Sequence, residues 1–478
     1  MTQHTSPEGS RYAALVPRGA TRPPTPGTLF RFATAGSVDD GKSTLVGRLL
    51  HDSKGILADQ LDAITRVSAQ RGFGGARSGA IDFALLTDGL RAEREQGITI
   101  DVAYRYFATD RRSFILADCP GHVQYTRNMV TGATTADAVV VLIDARKGVL
   151  EQTRRHLSVV RLLRVPHLIV AVNKIDLVDY DEAAFRAVEA EVRSVAAELG
   201  IADAIVIPVS ALEGDNVVGP SLRTPWYDGP SLLELLEHLP VIDELEPADA
   251  PFRLSVQLTI RPQGAFAPGL DADEFRDYRA HAGSVASGSI TVGDRVSVLP
   301  GGASTTIVGI DAAGQQLASA SAPQSIALRL ADDLDVARGD VIVAAQRPAD
   351  AAGRASADRA STDLSSADLA SADRSSTDLD GDLFWLDPRP VQAGKRVLVK
   401  YGTATVQAIV REIVGRHSLE TLVLESADIL EVNDIGRARL RLASALPLQP
   451  YALHRRAGAF VVIDLQDGAT LAAGIVNA

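Results

Sequence analysis

The sequence lacks the cysteine pairs and the long apolar runs that mark disulfide-linked or membrane-spanning proteins. Its 478 residues contain one cysteine, Cys119, which excludes any internal disulfide. A single cysteine fits a reducing cytoplasm, although a cysteine-poor secreted protein would have the same composition. The longest apolar runs, Ala138 to Ile143 and Leu168 to Val172, are far shorter than the roughly 20 residues that cross a bilayer as a helix. We therefore expect a cytoplasmic protein without a membrane segment.

The sequence also has fewer basic than acidic residues. The chain has 48 lysine and arginine residues against 60 aspartate and glutamate residues, a formal net charge of −12. A dedicated nucleic-acid-binding protein is more often basic, so we expect no nucleic-acid partner, although the count leaves room for a local basic patch. Hydrophobic residues at 46% and charged residues at 23% are ordinary for globular proteins and exclude a wholly disordered or collagen-like chain.

At roughly 150 residues per domain, a chain of this length folds into about three domains. Residues 1–27 are rich in proline and lack the apolar core of a signal peptide, so we expect a flexible tail. Residues 28–245 alternate short apolar segments with helical stretches such as Glu182–Leu199 and Ser231–His238, the second with Ser231 as N-cap. Fully apolar strands predict a parallel sheet covered by helices on both faces. The predicted strands are Leu29–Thr34, Phe114–Ala117, Ala138–Ile143, Leu168–Val172 and Ala204–Pro208.

Beyond Pro240 the pattern becomes that of strands alone. From Phe252 to Ile260 every second residue is apolar and alternates with a polar residue, which predicts a half-buried strand. Short strands broken by Gly-Asp turns follow. We predict one small β-barrel over residues 250–346 and a second over residues 382–478.

A short repeat separates the two predicted barrels. Residues 356–380 form five copies of a five-residue unit with an aspartate at the third position of each copy. The spacing resembles pentapeptide-repeat β-helices, in which about four copies make one coil, but five copies are too few to bury a core. We therefore favour a low-complexity loop over residues 350–381 rather than a β-helix.

A phosphate-binding loop follows the first predicted strand. The run that fits G-x-x-x-x-G-K-[ST] is Gly36, Ser37, Val38, Asp39, Asp40, Gly41, Lys42 and Ser43, with Thr44 next. Glycines let backbone N–H groups face phosphate oxygens, and the start of the next helix adds a favourable dipole. Lys42 can reach the β- and γ-phosphates, and the Ser43 hydroxyl can bind Mg²⁺. Asp39 and Asp40 either tune ion binding or favour the turn. The alternative to a phosphate site is a glycine-rich turn with a surface lysine.

Residues further along the chain supply candidates for the magnesium shell and for hydrolysis. The run Asp118, Cys119, Pro120, Gly121 has the form D-x-x-G and follows a predicted strand. Asp118 can hold the Mg²⁺ shell through water, and the Gly121 N–H can meet the γ-phosphate. Sequence order places Thr99 as the second hydroxyl ligand of Mg²⁺. His122 is a candidate to orient the attacking water, with local packing as its alternative, and Cys119 fits a small buried residue rather than a nucleophile.

Two further motifs choose guanine over adenine. The run Asn173, Lys174, Ile175, Asp176 follows the strand Leu168–Val172. The Asp176 carboxylate can accept hydrogen bonds from guanine N1–H and the 2-amino group, and adenine offers neither donor there. Lys174 can lie over the base plane, and Asn173 can tie this loop to the phosphate-binding loop. The run Ser210, Ala211, Leu212 can supply a backbone N–H for the guanine carbonyl. Five motifs in this order indicate a site for GTP and Mg²⁺.

The chain resembles translational GTPases of the elongation factor Tu type, in which a GTP-binding domain precedes two β-barrels. Four longer stretches resemble more closely the large GTPase subunit of the bacterial heterodimeric sulfate adenylyltransferases. They are Gly36–Lys54, Leu86–Phe107, Asp118–Met129 and Trp226–Leu233. Elongation factors usually carry histidine where Ser37 and Asp40 stand here, and this difference favours the sulfate adenylyltransferase interpretation.

This resemblance implies an α/β P-loop GTPase domain followed by two small all-β barrels. It implies that a separate small ATP-pyrophosphatase-like subunit makes adenosine 5′-phosphosulfate and pyrophosphate from ATP and sulfate, a strongly uphill reaction that GTP hydrolysis on the large subunit drives. It assigns Lys42, Thr99 and His122 to hydrolysis, together with Ser43 and Asp118. Two alternatives stay open, a translation factor that delivers aminoacyl-tRNA and a regulatory switch without coupled chemistry.

Overall fold

A computed structural model describes residues 28–53, 83, 102–120, 126–242, 250–262, 276–345 and 375–477. Thr99, Gly121 and His122 lie outside the described residues, as do the predicted tail 1–27 and the repeat copies up to residue 374. The chain divides into two compact units. Unit 1 contains Met1–Leu245 and Ser418–Val423, and unit 2 contains Glu246–His417 and Leu424–Ala478.

Unit 1 is built on a six-stranded sheet. Its strands are Leu29–Gly36 (β1), Ala103–Ala108 (β2), Ser113–Asp118 (β3), Ala138–Asp144 (β4), His167–Asn173 (β5) and Ala204–Pro208 (β6). The strand order is β2-β3-β1-β4-β5-β6. The predicted parallel sheet is confirmed for β1 and β3 to β6, whereas β2 adds an antiparallel edge that the sequence did not predict. Every residue of β4 and β5 is buried, as expected for strands covered on both faces.

In the part of unit 1 that the structure describes, the helices are Lys42–Asp52 (α1), Thr126–Thr134 (α2), Glu151–Leu162 (α3), Glu182–Glu198 (α4) and Leu232–His238 (α5). Capping side chains begin two of them. Ser231 caps α5 as predicted, since its hydroxyl accepts from the Glu234 N–H and the Glu234 carboxylate accepts from the Ser231 N–H. Asp181 caps α4 by accepting from two backbone N–H groups. Across the described residues, no helix has the length and apolar content needed to cross a membrane.

The register of the sheet brings the ends of its strands together. Thr34 in β1 lies opposite Asp118 in β3, and the last residues of β4 and β5, Asp144 and Asn173, lie opposite each other. Parallel strands end at the same edge of a sheet, so the loops that follow β1, β3 and β5 all begin there. These loops carry three of the five motifs.

Unit 2 contains two closed β-barrels. The first has the strands Arg253–Ile260 (β7), Ala280–Ser287 (β8), Ser289–Thr291 (β9), Arg295–Leu299 (β10), Ala303–Ala312 (β11), Gln315–Leu317 (β12), Ser319–Ser321 (β13), Ser325–Leu330 (β14) and Val341–Ala344 (β15). The second has Ser376–Trp385 (β16), Val391–Gln392 (β17), Arg396–Tyr401 (β18), Ala404–His417 (β19), Leu424–Glu425 (β20), Ile429–Leu430 (β21), Ile435–Leu446 (β22), Ala459–Asp464 (β23) and Thr470–Val476 (β24). Pairing of β10 with β11 closes the first barrel, and pairing of β18 with β19 closes the second.

The alternation predicted for β7 holds over only half of the strand. Phe252, Leu254 and Val256 are buried, but a bulge between Val256 and Leu258 turns Leu258 outward, and it is 58% exposed. Arg253, predicted on the polar side, is also buried and donates from Nη2 to the carbonyl of Pro447 at 2.6 Å. Arg253 is buried because it lies against the second barrel, where the Pro447 carbonyl accepts its hydrogen bond.

The repeat loop ends earlier than predicted. Strand β16 begins at Ser376, so the last copy of the repeat belongs to the second barrel, and the predicted start of that barrel at residue 382 is wrong. The strand forms there because alternate aspartates face alternate arginines of β22, while Leu379 on the other side is buried. The facing pairs are Asp378 with Arg441 at 2.6 Å, Asp380 with Arg439 at 3.4 Å and Asp382 with Arg437 at 2.9 Å.

A cavity of about 690 Å³ opens on the first barrel, and arginines line much of it. Two of them, Arg261 and Arg279, face Asp333, and Arg329 lies 3.2 Å from Asp311. Each of these three arginines therefore already has a carboxylate partner on the same barrel.

Candidate functional site

The phosphate-binding loop joins β1 to α1, which is the context that its sequence motif requires. Gly41 has φ +91°, in the left-handed region, and a Cβ on it would lie 2.5 Å from the Asn173 amide nitrogen. A Cβ on Gly36 would lie 2.9 Å from the carbonyl oxygen of Leu142. Glycine is therefore required at both positions, because a larger residue would push the loop away from β4 and β5.

The buried side chain of Lys42 contacts the backbone at the start of the phosphate-binding loop. Its ammonium donates to the carbonyl oxygens of Gly36 at 2.7 Å and Ser37 at 2.9 Å. Burial lowers the pKa of Lys42, and the negative charges of Asp118 and Asp40 oppose that shift. A lysine ammonium has three N–H donors. With two of them committed to the loop, the third is left for a phosphate oxygen.

Asp40 stabilises the turn. Its Oδ2 accepts a hydrogen bond of 2.7 Å from the Ser37 backbone N–H, and the side chain is almost fully buried. Burial raises the pKa of Asp40, with the Ser37 hydrogen bond and the Lys42 charge acting in the opposite direction. Of the two uses that the sequence leaves open for this residue, the observed contact is the one that favours the turn.

Asn173 ties three loops together. Its Nδ2 donates to the carbonyl oxygen of Asp40 at 2.7 Å, and its Oδ1 accepts from the Ala211 N–H at 2.9 Å. The predicted link between this loop and the phosphate-binding loop is confirmed. The Ala211 N–H, one of the groups expected to meet a guanine carbonyl, is occupied by Asn173 in this structure.

Asp176 is held in place by its neighbours. It lies in a short 3-10 turn, Ile175–Val178, whose first residue is buried. The Ser210 hydroxyl donates to its Oδ1 at 2.6 Å and accepts from the Glu213 N–H at 3.1 Å. Asp176 Oδ1 is thereby fixed, and the carboxylate keeps further lone pairs that can accept from a base.

Asp118 is the last residue of β3, and Cys119 follows it and donates its backbone N–H to the carbonyl of Thr34 in β1. Asp118 is buried and accepts a hydrogen bond of 2.8 Å from the Thr34 hydroxyl. Cys119 is fully buried against Gly132, and burial raises the pKa of its thiol. The prediction of a small buried residue at position 119 is confirmed, and a thiol whose pKa is raised by burial is a poor nucleophile.

Two groups that the sequence analysis missed complete the edge of the sheet. Asp144, the last residue of β4, lies 3.1 Å from the Lys174 ammonium. Arg48 in α1 donates to the carbonyl oxygens of Leu212 and Glu213. The available signal for Asp144 was an acidic residue that ends a wholly apolar strand. The contacts of Arg48 span more than 160 residues of sequence, and no local pattern predicts them.

Comparisons with known proteins identify the family of the chain. A family model described as the elongation factor Tu GTP binding domain matches residues 28–246, and one described as GTP-eEF1A C-terminal domain-like matches residues 378–477. Over 477 residues the chain is 43% identical to sulfate adenylyltransferase subunit 1 of Methylorubrum populi, covering 100% of this chain and 92% of that relative. The chain belongs to the sulfate adenylyltransferase subunit 1 family.

Other relatives carry the same name or a related one. Subunit 1 of Aliarcobacter butzleri is 42% identical, over 94% of this chain and 87% of its own length. A bifunctional CysN/CysC enzyme of Mycobacterium tuberculosis is 44% identical, over 94% of this chain and 67% of its own length. A solved structure of Sup35 complexed with GDP is 21% identical, over 95% of this chain and 94% of that chain, with a TM-score of 0.39 that supports no further argument. The relatives favour the sulfate adenylyltransferase interpretation over a translation factor.

We predict that Asp176→Asn shifts the nucleotide preference of this chain from guanine toward xanthine. The amide would present an N–H donor to the donors of guanine, and that same donor matches the C2 carbonyl of xanthine. The loss of one or two hydrogen bonds to a charged acceptor predicts roughly 10- to 1,000-fold weaker GDP binding. Equilibrium titration with GDP and xanthosine diphosphate measures both changes.

The matched control is Asp179→Asn, an exposed aspartate three residues further along the same loop. It makes the same chemical change away from the base, so GDP binding should stay as in the wild type. If Asp176→Asn keeps the full wild-type preference for GDP, Asp176 does not read the base.

Proposed function

We propose that this chain is the GTP-hydrolysing subunit of a sulfate adenylyltransferase. GTP hydrolysis on it drives the formation of adenosine 5′-phosphosulfate and pyrophosphate from ATP and sulfate on a partner subunit. The observation that carries this proposal is the 43% identity to a sulfate adenylyltransferase subunit 1 along the whole chain. The contacts of Lys42, Asn173 and Asp176 support guanine nucleotide binding at the edge of the sheet.

The donor set at the phosphate-binding loop fits Mg²⁺. This cation prefers oxygen ligands and keeps several waters, with one or two protein oxygens and the phosphates completing its shell. Ser43, in the first turn of α1, offers a hydroxyl, and Asp118 offers a buried carboxylate for a bound water. Thr99, outside the described residues, is the proposed second hydroxyl. When bound, Mg²⁺ would neutralise charge on the β- and γ-phosphates.

The residues of the chain act by positioning and by charge. Phosphoryl transfer to water needs little covalent chemistry from the protein, so no protein nucleophile takes part. Lys42 places its remaining N–H on the phosphates, where negative charge accumulates as the bond to the leaving group breaks. Gly121 N–H meets the γ-phosphate, and His122 orients the attacking water; both lie outside the described residues and both roles are proposals.

The proposed partner is a small ATP-pyrophosphatase-like subunit that binds ATP and sulfate. The name subunit 1, carried by several relatives, supports the existence of a second subunit. We place the complex in the cytoplasm, and the single buried cysteine fits its reducing environment. No nucleic acid takes part in the proposed reaction.

Reconstitution with the proposed partner tests this function. The purified chain and the small subunit are mixed with ATP, sulfate and either GTP or a GTP analogue that resists hydrolysis, and adenosine 5′-phosphosulfate is measured. Because adenylyl transfer to sulfate is strongly uphill, we expect product to accumulate only with GTP, in step with GDP release. Equal product with the analogue would show that hydrolysis does not drive the synthesis.

We predict that His122→Ala lowers GTP hydrolysis by roughly 100-fold or more, as expected for loss of a group that orients the attacking water. Nucleotide affinity should change little, because the side chain acts on the water rather than on GTP. His238→Ala, at the end of α5, removes an imidazole outside the site and serves as the control. Near-normal turnover by His122→Ala would remove His122 from the mechanism.

A further inference from the structure

Lys174 occupies a backbone conformation that lysine rarely adopts. Its φ of 63° and ψ of 34° lie in the left-handed region, which disfavours side chains other than those of asparagine and aspartate. From there the side chain runs along the phosphate-binding loop, and its Cε would lie 3.9 Å from a Cβ on Gly41. A disfavoured backbone of this kind persists only where surrounding contacts hold it.

The contacts that hold Lys174 converge on its ammonium. The ammonium donates to the backbone carbonyl of Asp39 and lies 3.1 Å from Oδ2 of Asp144. Asp144 comes within reach because it ends β4 directly opposite Asn173, the residue before Lys174. The ion pair is therefore a consequence of the register between β4 and β5.

Asp144 is a buried carboxylate that accepts hydrogen bonds from Arg146 and forms an ion pair with Lys174. Its side chain is 0% exposed. Oδ1 accepts from the backbone N–H and from Nε of Arg146, both at 3.0 Å, and Oδ2 accepts from Nη2 of Arg146 at 2.7 Å. Because Arg146 satisfies most of the carboxylate, Asp144 keeps its place whether or not Lys174 is bound to it.

The charge of Asp144 is fixed over the working pH range. Burial alone would raise its pKa, but the hydrogen bonds from Arg146 and Lys174 outweigh burial and hold the pKa of this carboxyl well below its usual range. Asp144 therefore meets the Lys174 ammonium as a carboxylate.

We propose that Asp144 is a positioning residue for guanine nucleotide binding, in that it anchors the Lys174 ammonium so that the lysine stem forms a ready-made surface for the face of the base. This inference rests on the proposed GTP-binding function. A free lysine stem has many rotamers, and ordering it would oppose binding, whereas a stem that is already anchored avoids that cost. Hydrogen bonds from Arg146 fix the Asp144 carboxylate, and the ion pair with that carboxylate fixes the Lys174 ammonium.

The proposal separates two kinds of contact with the base. Asp176 reads the edge of the base and discriminates guanine from hypoxanthine, which lacks the 2-amino group. The stem of Lys174 meets the face, which the two bases share. Loss of the Asp144 carboxylate should therefore weaken the binding of GDP and of inosine diphosphate by the same factor. Loss of the Asp176 carboxylate should instead change the ratio of the two affinities.

The test uses the full-length chain and four variants, Asp144→Asn, Lys174→Ala, the double variant and Asp181→Asn. Release of a fluorescent GDP analogue gives the dissociation rate, and competition with GDP and inosine diphosphate gives the affinity ratio. We expect Asp144→Asn to speed release about tenfold, the equivalent of one charge-assisted hydrogen bond, without changing the ratio of the two affinities.

The double variant should release nucleotide no faster than Lys174→Ala alone, because both changes remove the same interaction. Asp181→Asn, the same change at the N-cap of α4, should match the wild type.

The inference would be overturned if Asp144→Asn released nucleotide at the wild-type rate. It would also be overturned if Asp144→Asn sped release by the same factor in the wild type and in Lys174→Ala. If Asp144→Asn does not fold, Lys174→Met decides, because it keeps the stem and removes only the ammonium; fast release supports the anchor and wild-type release overturns it. A wild-type chain that binds no guanine nucleotide would overturn the proposed function and the inference with it.

Discussion

The site depends on one buried amide. Asn173 ends β5, donates to the carbonyl oxygen of Asp40 in the phosphate-binding loop and accepts from Ala211 in the loop after β6. These loops are far apart in sequence and meet only because parallel strands end at the same edge of the sheet. Both hydrogen bonds are buried, so breaking either would leave an unsatisfied backbone group, at a cost of about 1–3 kcal/mol. The phosphate-binding loop and the loop proposed to read the base are thus fixed relative to each other by the protein itself.

The charged side chains at this edge of the sheet are likewise held in place by hydrogen bonds and ion pairs within the protein. The buried carboxylates of Asp40, Asp118 and Asp144 each accept at least one hydrogen bond from the protein, and Lys42 and Lys174 are held by backbone carbonyls. Buried charges are tolerated when partners of this kind compensate them. Because these partners come from the protein, the five side chains are held in place without a nucleotide, which lowers the ordering cost of binding one.

Much of this arrangement was predictable from the sequence, because fully buried parallel strands are continuous apolar runs and the phosphate-binding loop is a local motif. What escaped prediction depends on partners distant in the chain. Arg253 is buried because it donates to Pro447, and β16 begins at Ser376 because its aspartates face arginines of β22. Asp144 joins the site only through the register of β4 with β5. None of these partners lies within the window over which periodicity is visible.

The affinity of Asn173→Ala for GDP, measured by equilibrium titration beside the wild type, tests most directly whether this amide assembles the site. The substitution removes both hydrogen bonds and leaves the Asp40 carbonyl and the Ala211 N–H without their partner. Two lost buried hydrogen bonds predict roughly 100-fold weaker binding, with the barrels of unit 2 unaffected. Binding of GDP at wild-type strength would contradict the central role given to Asn173.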